Sequence, residues 1–224
     1  MGAVTFQRAR SEAQREIRRR TILDTTAAML DEMPVADISL NELSRRVGLA
    51  KSNVLRYVES REAVLLELLD DRLTAWLADL EAELAATVDA DASPATRATQ
   101  LAGVLSTSLA ARPALCDLFG AQGGVLEHNV SVDLVVRHKR ASLAHLGTLA
   151  GLLLRHVPEL GEHAQRFGLL TLVTAGAVSS YVPPPPSVTA AFEQAPELEF
   201  FRFELHESLR VVLVAGLLGF LPRD

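Results

Sequence analysis

A chain of 224 residues, 49% of them hydrophobic, can bury a substantial core in one or two domains. Its one cysteine excludes an intrachain disulfide and suits a reducing compartment, the cytoplasm. The net charge of −6 disfavours a polyanionic partner until its distribution is read: residues 1–60 carry +2 (ten Lys/Arg, eight Asp/Glu) and residues 61–224 carry −8 (twelve and twenty), so affinity for nucleic acid would concentrate at the basic end.

Residues 1–11 lack a periodic pattern and read as an arm. Arg8 and Arg10 there suit a minor groove or a phosphate, the alternative being a plain tail. The first twenty residues also lack the apolar run of a secretion signal. From Glu12 to Met33, Ile17, Leu23, Ala27 and Leu30 recur at helical spacing and predict a helix with that face on the core. Arg18, Arg19 and Arg20 lie near its start, within reach of DNA phosphates. Pro34 ends it. Ser39 and Glu42 then have the spacing of a capping box, opening a short helix over 40–47 with Leu43 and Val47 inward. Gly48 supplies a left-handed stop. A second short helix is expected over 50–57, with Val54 and Val58 inward and Lys51, Ser52, Asn53, Arg56 and Tyr57 outward. Two short helices about a glycine bend, the second offering polar and basic side chains, define a helix-turn-helix.

Ser60 reads as the cap of a long helix over 62–87, in which Leu65, Leu69, Leu73, Trp76, Leu80 and Leu84 keep an apolar stripe for six turns. Ser93 and Pro94 signal another start. Further helices are placed near 94–111, 114–127, 131–156, 159–182 and 197–220, punctuated by Pro113, Gly123-Gly124, Pro158, the Pro183–Pro186 run and Pro196. The expected class is all-α, with a three-helix head over 1–61 and a helical body over 62–224. Residues 167–182 carry no charge and 209–221 only Arg210. Both stretches fall short of the ~20 residues of a membrane span. A helix apolar on every side must be covered on every side. This predicts a homodimer through helices 159–182 and 197–220, packed as a four-helix bundle about a two-fold axis. A central core helix in a monomer is the alternative. The proline run reads as a stiff loop in preference to a polyproline ligand.

No pattern points to catalysis, a cofactor or a metal. His138 and His145 are two helical turns apart, too far for a helical zinc pair. Cys116 stands alone and reads as a small buried hydrophobe. The run Gly120–Gly124 lacks the Lys-Ser/Thr of a phosphate loop and reads as a break between helices.

Over residues 15–70 the chain resembles the TetR family of transcriptional repressors. The resemblance rests on Ile38, Leu40, Leu43, Ser44, Val47, Gly48, Leu49, Leu55, Tyr57, Val58, Ser60, Arg61, Glu62 and Val64. The chain departs from the family in having Leu55 for a tyrosine, Tyr57 for a histidine, Val58 for a phenylalanine, Arg61 for a lysine and Ser52-Asn53 for Gly-Thr. The resemblance implies a dimer on double-stranded DNA with a palindromic operator, and a small-molecule cavity in the body. From the expected helix positions, Phe119, Gln122, His128, His138, His145 and Phe167 are candidates for the cavity wall. On the DNA side, Ser52 and Asn53 suit base edges, and Lys51 suits a guanine or a phosphate. Arg45, Arg56, Tyr57, Arg61 and the helix start at Ser39 suit phosphates. The expected function is a ligand-responsive repressor released by a small, largely apolar effector. Alternatives are a constitutive DNA binder, or a helical carrier or enzyme keeping the motif as scaffold.

Overall fold

The computed structural model describes residues 2–222, with side chains from Glu12 onward; among the described residues there are ten α-helices, a few short turns and no strand. The first helix, α1 (Gly2–Glu32), runs through the stretch expected to be an arm. Ala3 to Arg10 contain neither glycine nor proline, so nothing in them stops a helix from extending backward. Arg8 and Arg10 lie outside the described side chains.

Ile22, Leu23, Met29 and Leu30 of α1 are buried, and buried Thr26 donates its hydroxyl to the Ile22 carbonyl at 2.8 Å. Ile17, expected on this face, is instead 65% exposed. Five residues before Ile22, it sits about 140° round the helix and points away from the core.

Two short helices follow. In α2 (Leu40–Val47) the Ser39 hydroxyl accepts the Glu42 N–H at 3.1 Å. Only half of the capping box forms, because the Glu42 carboxylate turns to Arg45 and Arg46. Gly48 adopts φ 71°, and the Leu49 N–H reaches back to the Ser44 carbonyl at 3.0 Å, closing the helix end. The next helix, α3, spans only Lys51–Val54, shorter than the expected 50–57. After it the chain tightens, with Arg56 N–H bonded to Asn53 O at 3.3 Å and Tyr57 N–H to Val54 O at 2.9 Å.

The 27-residue α4 (Arg61–Thr87) starts on a Ser60 cap and buries every residue of the predicted stripe, Leu65 through Leu84. Its first turns pack on α1, while its later turns pack on the body. The body contains α5 (Pro94–Ala110), α6 (Pro113–Ala121), α7 (Val132–His156), α8 (His163–Ser179), α9 (Pro186–Gln194) and α10 (Leu205–Phe220). The helix expected over 114–127 stops at Ala121, and Gln122–Leu126 widen into a π turn at the paired glycines. The helix expected over 197–220 begins only at Leu205, after a 3-10 stretch, Pro196–Phe201. The α9 helix was not anticipated, because its prolines read as loop.

Polar clasps tie the layers. The buried Trp76 indole N–H donates to Ser108 Oγ at 3.0 Å, and Arg112 holds the Ser108 carbonyl at 2.8 Å and Asp79 at 2.9 Å. At the other end of α5, Arg97 donates to the His156 carbonyl at 2.7 Å and pairs with Glu159 at 2.5 Å. Cys116 is buried, and burial pushes its thiol up to about 12. No helix among the described residues is long and apolar enough to cross a membrane.

The α6–α8 crossing depends on two glycines. A Cβ on Gly176 would meet Gly120 N at 2.6 Å and the Phe119 carbonyl carbon at 2.8 Å, both backbone atoms that cannot step aside. Gly176→Ala should therefore destabilise the protein by about 1–3 kcal/mol in chemical denaturation. Gly103→Ala, whose Cβ would meet nothing within 4 Å, should be neutral or stabilising by up to ~1 kcal/mol. Equal effects of the two substitutions would contradict this packing.

Candidate nucleic-acid interface and effector cavity

Val54 is fully buried and pins α3, while Lys51, Ser52 and Asn53 stand exposed at its start. Leu55, at 46% exposure, adds an apolar contact to the same edge. Arg56 is exposed, but Tyr57 is half-buried and packs on the head's core, so the outward position expected for it holds only in part. Together with Gln14, Arg15, Ile17 and Arg18 of α1, Arg56 and Tyr57 line an open groove beside α3. Arg15 donates to the Arg56 carbonyl at 3.2 Å and so braces the groove.

The arginines of the head divide into two groups. Among the described residues, no carboxylate lies within 4 Å of Arg15, Arg18, Arg56 or Lys51, whereas Arg19 pairs with Glu67 and Arg20 with Asp24. Arg46 bridges Glu32 at 2.6 Å and Glu42 at 3.0 Å. Arg61, expected at a phosphate, donates instead to the Val35 carbonyl at 3.0 Å, tying the start of α4 to the turn before α2. Its side chain is largely buried and its charge lies beside Glu62. Arg15 was not singled out from sequence, although its i, i+3 spacing to Arg18 carried the signal.

Arg45 remains exposed but makes two bonds to Glu42, at 2.9 and 2.5 Å. Hydrogen bonds from Arg45 and then Arg46 hold the Glu42 carboxyl down to about 2. The depressed value means that this tie supports α2 above the ordinary carboxylate range and fades as pH falls toward about 2.

The head meets the body through two carboxylates. Asp117 of α6 accepts the Val35 N–H at 2.7 Å, and Glu59 accepts from Ser131, the cap of α7, with Ser131 Oγ at 3.0 Å.

Within the body a cavity of about 220 Å³ opens between α4, α6, α7 and α8. Its wall is mostly apolar, with Leu69 and Leu73 from α4, Phe119 from α6, Leu143 and Leu146 from α7 and Leu172 from α8. Gln122, Asp70, Lys139 and Ser142 supply polar atoms. Phe119 and Gln122 are thus on the wall. His138 lies behind it, buried, with Nε2 3.0 Å from Gln122 Nε2 and Nδ1 within 3.2 Å of Asp70. His145 faces Thr74 at 3.0 Å on the α4–α7 seam. His128 is exposed beyond the π turn, and Phe167 packs between α8 and α10, edge-on to Phe220. None of these four borders the cavity: His138 and His145 are taken up by Asp70 and Thr74 of α4, His128 lies outward beyond the π turn, and the apolar Phe167 fills the core. No group of three or more metal-ligating side chains gathers among the described residues.

These features define an all-helical protein with a helix-turn-helix head on a cavity-bearing body. Residues 70–224 match the tetracyclin repressor-like C-terminal domain. The chain belongs to the tetracycline repressor (TetR) family. Over 49 residues, 22% of the chain, it is 43% identical to the HTH-type transcriptional regulator EthR of Mycobacterium tuberculosis (strain ATCC 25618 / H37Rv) and of Mycobacterium bovis, and this match spans 23% of their length. The fold is similar to that of the fatty acid degradation regulator FadR from Bacillus halodurans (TM-score 0.51, 13% identity, 92% of this chain and 97% of that one). It is equally similar to FadR from Bacillus subtilis in complex with stearoyl-CoA (TM-score 0.51, 12% identity, 91% and 99%).

Glu42→Gln releases Arg45 from its bidentate partner. The plot of log affinity for random duplex DNA against log salt should then steepen by roughly one phosphate contact. An unchanged slope would mean that Arg45 does not face DNA.

Proposed function

We propose that this protein is a dimeric, ligand-responsive repressor acting in the cytoplasm. The observation that carries the reading is the exposed Lys51–Asn53 edge, held rigid by buried Val54 and flanked by arginines without acidic partners. Base edges in a major groove are read by side chains at such a helix start, with asparagine able to make two bonds to adenine. The flanking Arg15, Arg18 and Arg56 fix the register on phosphates.

The apolar outer faces of α8 and α10 support the dimer. Leu170, Val173, Val211, Val212 and Leu218 are all large hydrophobics left exposed in the single chain, with Val173 at 57% and Val211 at 56%. Pairing them with their copies across a two-fold axis covers both faces and sets the two heads on half-sites roughly one helical turn apart.

The cavity supports the effector. Leu69 and Leu73 belong to α4, which also carries the head, and Phe119 is two residues from Asp117, which holds Val35. A ligand that fits better when α4 and α6 are displaced lowers the population of the DNA-competent spacing by its differential affinity for the two states. A constitutive DNA binder would have no use for this space. FadR from B. subtilis is described with stearoyl-CoA. The small cavity here fits a smaller, largely apolar molecule.

Duplexes selected from a random pool by the full chain should contain an inverted repeat. Asn53→Ala should weaken binding to that repeat by about 1–3 kcal/mol and relax one position in each half-site. Unchanged discrimination, or a selected pool without symmetry, would overturn the reading.

A further inference from the structure

The polar end of the cavity carries a carboxylate, Asp70, to which the protein gives a single N–H. His138 Nδ1 lies 3.1 Å from one Asp70 oxygen and 3.2 Å from the other. Gln122 fixes which ring nitrogen carries the proton. Its amide nitrogen is a donor only, and it spans Glu127 Oε1 at 2.9 Å and His138 Nε2 at 3.0 Å. His138 Nε2 therefore accepts, and the ring proton sits on Nδ1, facing Asp70. One N–H serves one oxygen. Asp70 Oδ2 takes it, and Oδ1 is buried without a hydrogen-bond partner.

Oδ1 is closed off, but the Asp70 side chain as a whole is part-exposed and lines the cavity, so a donor brought in there adds to the single N–H that the carboxylate receives. The one cation on the wall does not compete for this role. Lys139 Nζ is bound to Glu127 at 2.5 Å, and burial, which would push the Glu127 carboxyl up, is outweighed by the bonds from Lys139 and Gln122 that keep it below its ordinary value. Lys139 is thus committed to Glu127, and Asp70 is the one carboxylate on the cavity wall. Apart from the hydroxyl of Ser142 and the Gln122 amide, the remaining wall, with Leu69, Leu73, Phe119, Leu146 and Leu172, is apolar.

We propose that the cavity takes a small cationic amphiphile, an alkyl- or arylalkyl-ammonium, with its nitrogen donating to Asp70 and its apolar tail among the leucines and Phe119. This rests on the effector role assigned to the cavity above and names the chemistry of its ligand. Asp70 is on α4, so the head group of such a ligand pulls directly on the helix that carries the DNA-reading head.

The test is calorimetric titration of the full chain with hexylammonium, hexanoate and hexanol, three probes that share a tail and differ in head group. Hexylammonium should bind about tenfold more tightly than hexanoate. Asp70→Asn should remove that preference while leaving hexanol affinity unchanged, and Lys139→Gln should leave the preference intact. Equal or tighter binding of hexanoate, a preference that survives Asp70→Asn or vanishes in Lys139→Gln, or no binding by any probe would overturn the proposal. Retention of the ligand-free protein on duplex DNA is measured separately. Its loss would strike the regulator reading and leave the head-group preference standing.

Discussion

One helix belongs to two cores. The first turns of α4 bury Val64, Leu65 and Leu68 against the head, and its later turns bury Trp76, Leu80 and Leu84 against the body. The apolar stripe is continuous, so head and body cannot part without exposing it. At about 25 cal/mol per Å² of apolar surface, even a few leucines uncovered would cost several kcal/mol. The head is therefore not a bead on a tether. Its orientation is written into the tilt of α4 and trimmed by Asp117 on Val35, Glu59 on Ser131 and Arg61 on Val35.

That constraint also sorts the charged residues. Arginines near α4 and α2 are used internally: Arg19 on Glu67, Arg46 on Glu32 and Glu42, and Arg72 on Asp31 at 2.7 Å. What remains for an external polyanion is the edge formed by Lys51, Arg56, Arg15 and Arg18. The net negative charge of the whole chain is thus no obstacle, because the acidic excess lies in the body, while Lys51, Arg56, Arg15 and Arg18 of the head have no carboxylate within 4 Å among the described residues.

Much of this was legible in the sequence. Serine caps at Ser39, Ser60 and Ser93 opened helices where expected, and Gly48 took the left-handed conformation that its position required. The α4 stripe was read residue for residue, because a 3.6 period over six turns leaves little ambiguity. What was not legible depended on tertiary neighbours. Whether Arg61 faces a phosphate or a carbonyl is decided by where the turn at Val35 lies. Ile17 lies six residues before Leu23, about 120° from it round the helix, and so falls off the buried face. The cavity wall drew on four helices, and no local pattern says which face of α7 meets α4. Of the six residues placed on a cavity wall from sequence, Phe119 and Gln122 line the cavity, while His128, His138, His145 and Phe167 do not.

Amide hydrogen exchange tests the shared-helix account most directly. If α4 locks head and body into one cooperative unit, the amides of Leu65 and Leu69 should exchange with the same free energy as those of Leu80 and Leu84, close to that of global unfolding. An early opening in which Leu43, Val54, Leu65 and Leu69 exchange together while Leu80 and Leu84 stay protected would show two independent units and contradict it.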